Sequence, residues 1–222
     1  MADIKNHKRV NDIWLGRFER PALRWLAAHM PGWVNSDILT GVGILGAVII
    51  FVSYGLTNLD KNFLWLASLG FAINWFGDSL DGTLARYRHQ ERPRYGFFID
   101  HTVDAINETL IFLGIGISPY FSFNVLSVAL VGYLMMSILV YVRTCVVGEF
   151  KLSYGGFGPT ELRLIIVIIN TVIYFIGSPT VQLSFGLINV LDVLAALIAA
   201  ILFGIYIGQT LMHGRELRRL GE

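Results

Sequence analysis

Apolar residues run through this chain in long blocks, and the polar positions between them mark where helices begin and end. A bilayer-spanning helix needs about 20 apolar residues. Ile38 to Leu59 carries no charged side chain and is long enough to cross, and Asp60 and Lys61 end it in a short polar turn. Phe63 to Gly77 is apolar again; no strong helix breaker follows, so this helix is expected to continue through the first aspartates. Glu91 to Arg94, which contains Pro93, predicts a loop, and a third crossing runs from near Tyr95 to about Ile117. The uncharged stretch from Thr109 to Val142 exceeds one crossing and breaks at Ser118-Pro119, and Leu164 to Leu191 breaks likewise at Gly177-Ser178-Pro179. Gly155, Gly156, Gly158 and Pro159 predict another loop, and a last apolar run covers about Ile188 to Leu211. The pattern predicts an all-α integral membrane protein with six transmembrane helices.

Upstream, residues 13–30 change period. Trp14, Phe18, Ala22 and Trp25 share one helical face, while Arg17, Arg20 and Arg24 share another. This predicts an N-terminal amphipathic helix in the membrane interface, with arginines reaching lipid phosphates. Packing against the transmembrane bundle is an equally good use of the same helix, and the two are compatible. The chain then divides into an arm carrying this helix (1–36), a six-helix domain (37–213) and a polar tail (214–222).

Composition agrees with the pattern. Of 222 residues, 55% are apolar and 15% charged, with a mean hydropathy of +0.61; soluble domains carry about a quarter charged residues. Cys145 is alone, so there is no intrachain disulfide framework and no cysteine spacing for a metal. Residues 1–12 are polar and the next segment is too charged for a signal peptide, so none is expected. The net charge of +1 says less than its distribution. Lys61 stands apart from the other 16 of the 17 basic residues, which fall in the N-terminal arm, the 86–94 loop, the 143–163 region and the tail. With six crossings those four regions share one face, so both termini are expected in the cytoplasm. Nothing in this pattern points to nucleic acid.

The acids break the pattern where it should be strongest. Asp78 and Asp81 are three apart and Asp100 and Asp104 four apart, so each pair lies on one helical face. The two helices are antiparallel across the 87–95 loop, and at about 1.5 Å per residue both pairs lie roughly 8 to 14 Å from it. Charged groups at such depth are functional candidates. Four converging carboxylates cannot all stay ionised without compensation. No lysine lies among them and Arg86 is the nearest arginine in sequence. Two divalent ions, Mg²⁺ or Mn²⁺, held by oxygen ligands and bridging a phosphate substrate, would supply the charge. A buried ion-pair network with an arginine for each acid, or a proton or cation relay, are the other readings. Gly82 and Ala85 would let a bulky ligand approach the helix backbone, or serve helix packing; Arg86 could fork onto a diphosphate, or simply reach the interface. Gly96 would allow close packing near the metals.

Written out, the stretch is Asp78-x2-Asp81-Gly82-x2-Ala85-Arg86-x9-Gly96-x3-Asp100-x3-Asp104. It resembles the signature of the CDP-alcohol phosphotransferase (CDP-alcohol phosphatidyltransferase) family, whose gap after Ala-Arg is usually eight residues. Leu39-Thr40 also resembles part of that family's first transmembrane entry. The six-helix layout and interfacial helix are similar as well. The resemblance implies phospholipid biosynthesis: transfer of a substituted phosphoryl group from a CDP-alcohol to a hydroxyl acceptor at the membrane, releasing CMP. It implies that Asp78, Asp81 and Asp100 hold two divalent metals. Asp104 would ligate or flank the second metal and take the acceptor's proton. Gly82, Ala85, Arg86, Gly96 and Thr40 would line the CDP-alcohol site with Asp78 and Asp81. A multi-pass location in a bacterial inner membrane and a homodimer are further expectations from the family.

The acceptor is less legible. The short chain resembles the members that use CDP-diacylglycerol and a small alcohol, and Arg143, Lys151 and Arg163 would then hold an acceptor phosphate. Those three equally suit the cytoplasmic excess of basic residues. His101 after Asp100 instead resembles the choline and ethanolamine phosphotransferases, which pass a head group to a lipid alcohol, and Thr160-Glu161 has a weaker likeness to them. Glu161 also suits a helix N-terminus, and Glu108 suits either an acceptor contact or core pairing. Asp192 has no evident partner. Outside this family, a Mg²⁺-dependent membrane prenyltransferase or an ion-coupled transporter are the rival classes.

Overall fold

The computed structural model describes residues 15–147, 158–183 and 186–220. Seven helices follow in order: α1 (Gly16–His29), α2 (Ser36–Leu56), α3 (Phe63–Tyr87), α4 (Pro93–Ile117), α5 (Phe123–Val147), α6 (Pro159–Ile176) and α7 (Val190–Leu220). Among the described residues, α2, α5, α6 and α7 are long and apolar enough to cross a membrane. The two acid-bearing helices, α3 and α4, are 25 residues each, long enough in length though not in composition. Leu45, Leu69, Ile138, Ile168 and Ile201 are each more than half exposed. A water-soluble fold does not present such an apolar surface on every helix, and the chain is an integral membrane protein.

The all-α expectation needs one correction. Between α6 and α7 lies an antiparallel hairpin, β1 (Thr180–Leu183) and β2 (Gly186–Asn189), which pairs Thr180 with Asn189 and Leu183 with Gly186. The helix expected from Ile188 therefore starts at Val190. Asn189 explains the shift: its Oδ1 accepts from the Leu191 N–H at 3.0 Å and its Nδ2 donates to the Tyr120 carbonyl at 2.6 Å. Asp192 finds its partner here too, accepting from the Ser122 N–H at 2.7 Å. At its other end α7 continues through the basic segment to Leu220, so the described part of the polar tail is helical.

The bundle is tightest where α2 meets α3. A side chain on Gly77 would collide with the backbone of Gly43, and one on Gly46 with the backbone of Asn74. Glycine alone permits that approach, which brings the two helix backbones together as small residues do between membrane helices. The Asn74 Nδ2 donates to the Gly43 carbonyl at 2.9 Å across the contact. On the other flank of α2, Gly114 of α4 lies against the backbone of Phe51. Thus α2 is the post on which both acid-bearing helices lean.

Two apolar clusters complete the core. Ile50, Tyr54, Leu64, Phe71, Ile115 and Ile173 pack toward the end that carries the hairpin, where the Tyr54 hydroxyl donates to Asn170 at 2.7 Å. Leu23 and Ala27 of α1 pack with Leu39, Leu80 and Leu84 at the opposite end, while Phe18 and Trp25 stay exposed. The face of α1 that meets the bundle is thus Leu23 and Ala27, and its aromatic face is left free for an apolar environment. Trp14 lies outside the described residues.

Candidate active site

The mouth of the α3–α4 hairpin is fastened before the acids begin. The helix α3 stops in a left-handed cap: His89 has φ +54°, the Gln90 N–H donates to the Ala85 carbonyl at 2.9 Å and the His89 N–H to the Arg86 carbonyl at 3.2 Å. The Arg88 guanidinium donates to the carbonyls of Met30 (3.0 Å), Pro31 (2.9 Å) and Val34. Arg92 pairs with Asp37 and covers the Tyr95 ring. These bonds hold the 88–92 turn to the entry of α2, and α4 begins at Pro93, two residues earlier than expected because proline suits a first helical position.

With the turn held, α2 meets the first acidic pair. The Thr40 hydroxyl donates to Asp81 Oδ2 at 2.7 Å, and the Ser36 hydroxyl donates to the Asp81 backbone carbonyl at 2.8 Å. Asp78, Asp81 and Asp100 line one cleft with Thr40, Gly43, Val103 and Asn107. Asp104 stands one turn beyond Asp100, and with His101 these two offer oxygen and nitrogen atoms within 4.8 Å of one another. Asp78 and Asp100 lie within electrostatic reach of both Asp81 and Asp104. The four carboxylates therefore form one cluster at one end of the bundle.

One neighbour was not anticipated. Arg163 of α6, expected beside an acceptor phosphate, places its Nη2 2.6 Å from Asp78 Oδ2. The acids thus have an arginine among them, brought from 85 residues away. Arg86, the nearest in sequence, instead lies over Gly82 and donates to the Thr83 hydroxyl at 3.2 Å. Arg163 compensates part of the charge on Asp78. The donor set is carboxylate and hydroxyl oxygen, which fits a hard divalent cation.

The remaining residues separate clearly. His101 is nine-tenths buried, stacked on Tyr141 at 4.7 Å and edge-on to Phe97 at 4.2 Å, with its Nδ1 3.9 Å from a carboxylate oxygen of both Asp100 and Asp104. Arg143 is half-buried on α5, two residues beyond Tyr141. Glu108 is directed at the Tyr133 hydroxyl, in reach of Asp104. Glu161 caps α6: its Oε2 accepts from the Gly158 N–H at 3.0 Å and its Oε1 from the Leu15 N–H at 2.9 Å. That engagement gives Glu161 the helix-capping role its position suggested. Around Gly96 a side chain would meet open space among the described residues, so the close packing expected there is absent. Lys151 lies outside the described residues.

Two residues escaped the sequence reading. Glu19 of α1 accepts from the Trp75 indole at 2.7 Å and the Thr160 hydroxyl at 2.8 Å, joining α1 to α3 and α6 beside the Asp78 turn. It was hidden inside an arginine-rich segment read only for its faces. Asn107 lines the cleft and is buried; its spacing of three from Asp104 was the available signal.

The family model for CDP-alcohol phosphatidyltransferase matches residues 33–207, and the chain belongs to that family. It is 33% identical over 94 residues to a phosphatidylinositol phosphate synthase of Cutibacterium acnes, covering 41% of this chain and 40% of that one. It is 31% identical over 165 residues to cholinephosphotransferase 1 of Danio rerio, covering 69% of this chain and 41% of that protein. The chain thus spans about two fifths of the length of these relatives. Its fold is similar to the crystal structure of Mycobacterium tuberculosis phosphatidylinositol phosphate synthase (PgsA1) with CDP-DAG bound, with a TM-score of 0.57 and 23% identity over 88% of this chain and 92% of that one.

Proposed function

We propose that the protein transfers a phosphatidyl group from CDP-diacylglycerol to the hydroxyl of a small polar alcohol, releasing CMP. The observation that carries this reading is the convergence of Asp78, Asp81 and Asp100 with Thr40 on one cleft, with Asp104 one turn away. The four aspartates are the acidic positions of the pattern that resembles the family signature. In this reading six helices cross the membrane, α1 lies at the cytoplasmic interface, and the acids open to the cytoplasm.

Asp78, Asp81 and Asp100 would hold two Mg²⁺ or Mn²⁺ ions, with Asp104 ligating or flanking the second, and their charge would stabilise the diphosphate and the departing CMP. Thr40 fixes the rotamer of Asp81 through its hydrogen bond. Arg163 tethers Asp78 and brings a fixed positive charge to the same face. Gly82, Ala85 and Arg86 line the approach of the cytidine diphosphate. Asp104 takes the proton of the acceptor hydroxyl as its oxygen bonds to the phosphorus that carries diacylglycerol; the bond from that phosphorus to the CMP oxygen breaks, and CMP leaves.

A second reading rests on His101, which stands against both Asp100 and Asp104. There, CDP-choline or CDP-ethanolamine would give its head group to a lipid alcohol, and the similarity to cholinephosphotransferase 1 supports it. One assay separates the two. Purified protein with Mg²⁺ or Mn²⁺ is given CDP-diacylglycerol with glycerol phosphate, inositol phosphate, inositol or serine, and separately CDP-ethanolamine or CDP-choline with diacylglycerol. CMP is measured. We expect CMP with CDP-diacylglycerol and one polar alcohol, abolished by chelation and by Asp81→Asn. CMP only from the second set would favour the head-group reading, and none from any pair would contradict both.

A further inference from the structure

The floor of the cleft holds a polar side chain that the bundle leaves unused. Asn107 is 3% exposed, and among the described residues neither its Oδ1 nor its Nδ2 has a hydrogen-bond partner. It lies seven residues after Asp100 and three after Asp104, on the same face of α4, and it lines the cleft with Asp78, Asp81 and Asp100. A buried amide without partners is unfavourable, whereas an apolar side chain of that volume would pack there without penalty. The other buried asparagines differ. Asn74 donates through its Nδ2 to the Gly43 carbonyl, leaving only its Oδ1 without a partner among the described residues, and Asn170 bonds to both Tyr54 and Ser68. Ser53 also buries an unpartnered hydroxyl, but it does not line the cleft. An amide directed at a cluster of carboxylates that already has a hydroxyl donor is placed for a cation or its water, since an amide oxygen is a hard ligand of the same kind as a carboxylate.

We propose that Asn107 is a further part of the divalent-cation site, its amide oxygen turned to the ion or to a water the ion carries. The inference rests on the metal reading of Asp78, Asp81 and Asp100. Asn107 acts as a positioning residue: it fixes where the cation sits at the bottom of the cradle, and so how the ion meets the donor phosphate. Residues that orient a metal in this way typically change its affinity by about 10- to 100-fold when replaced.

Mn²⁺ binding to the purified full chain, without substrate, tests this directly by the spectroscopic signal of free Mn²⁺. The wild type is expected to bind saturably and Asp81→Asn to lose that binding. Asn107→Leu should weaken Mn²⁺ at least about 10-fold while its melting temperature in EDTA stays level or rises, because a strained amide has gone. Asn107→Asp, which keeps an oxygen at that place, should bind Mn²⁺ as tightly as the wild type or more so. Wild-type affinity in Asn107→Leu would overturn the inference, as would an equal loss in Asn107→Leu and Asn107→Asp, which would mark disturbed packing. Absence of saturable binding by the wild type would instead overturn the metal reading, and the inference with it.

Discussion

The α1–α4 half and the α5–α7 half of this bundle both contain helices apolar enough to cross a membrane, yet they are packed by different rules. Around α2 the helices meet backbone to backbone, with Gly43, Gly46, Gly77 and Gly114 removing the side chains that would keep them apart. On α7, Gly204 and Gly208 face open space, and the helix leaves most of its surface uncovered. The difference follows the chemistry. In the proposed function four carboxylates must be held at fixed separations in the first half, whereas the second supplies a few contacts, Arg163 and Tyr141 among them, and otherwise leaves apolar surface uncovered.

Exchanging a glycine in each half should expose that contrast most strongly. Gly77→Ala forces α3 off α2, and overpacking of this kind costs about 1–3 kcal/mol or more; we expect a large fall in the apparent melting temperature and loss of activity. Gly204→Ala should leave both unchanged or raise stability slightly, since alanine is the better helix former. Equal effects at the two positions would contradict the division.

Smaller effects should follow at the seams. Glu19→Ala removes the acceptor shared by Trp75 and Thr160 and should cost about 1–3 kcal/mol. Glu19→Gln keeps an oxygen and should recover much of it, as judged by melting in detergent. Smallest is His89→Gly. This residue sits at φ +54°, where glycine carries no steric penalty. Relief of that strain should raise stability by about 0.5–1 kcal/mol without altering activity.

The parts of the molecule readable from sequence are those where one rule was visibly broken. Acids inside an apolar run announced the site, because nothing local explains Asp78, Asp81, Asp100 and Asp104 in helices of that hydropathy. Helix ends at Pro119, Pro159 and Pro179 were legible for a similar local reason. Contacts that close over long sequence distances were not. Arg163 reaches Asp78, Arg88 reaches the 30–34 corner, and Glu19 joins α3 and α6; each partner is set by how the helices pack, and no spacing along the chain encodes it. The hairpin at 180–189 was missed because a short apolar run suits a helix or a strand equally, and Asn189 decided the matter by capping α7 from inside the run. Glu161 drew notice through the likeness of Thr160-Glu161 to the choline and ethanolamine enzymes, and it takes the other role its position offered, a cap at the start of α6.

In the proposed mechanism the acidic hairpin divides its labour, with Asp78, Asp81 and Asp100 holding the donor through divalent metal and Asp104 taking the acceptor's proton. Asp104→Asn tests it most directly, with bound CDP-diacylglycerol and released CMP measured on the same Mn²⁺-loaded sample. Donor binding largely as in the wild type with CMP release abolished is the predicted result. Normal CMP release from that variant would contradict the account.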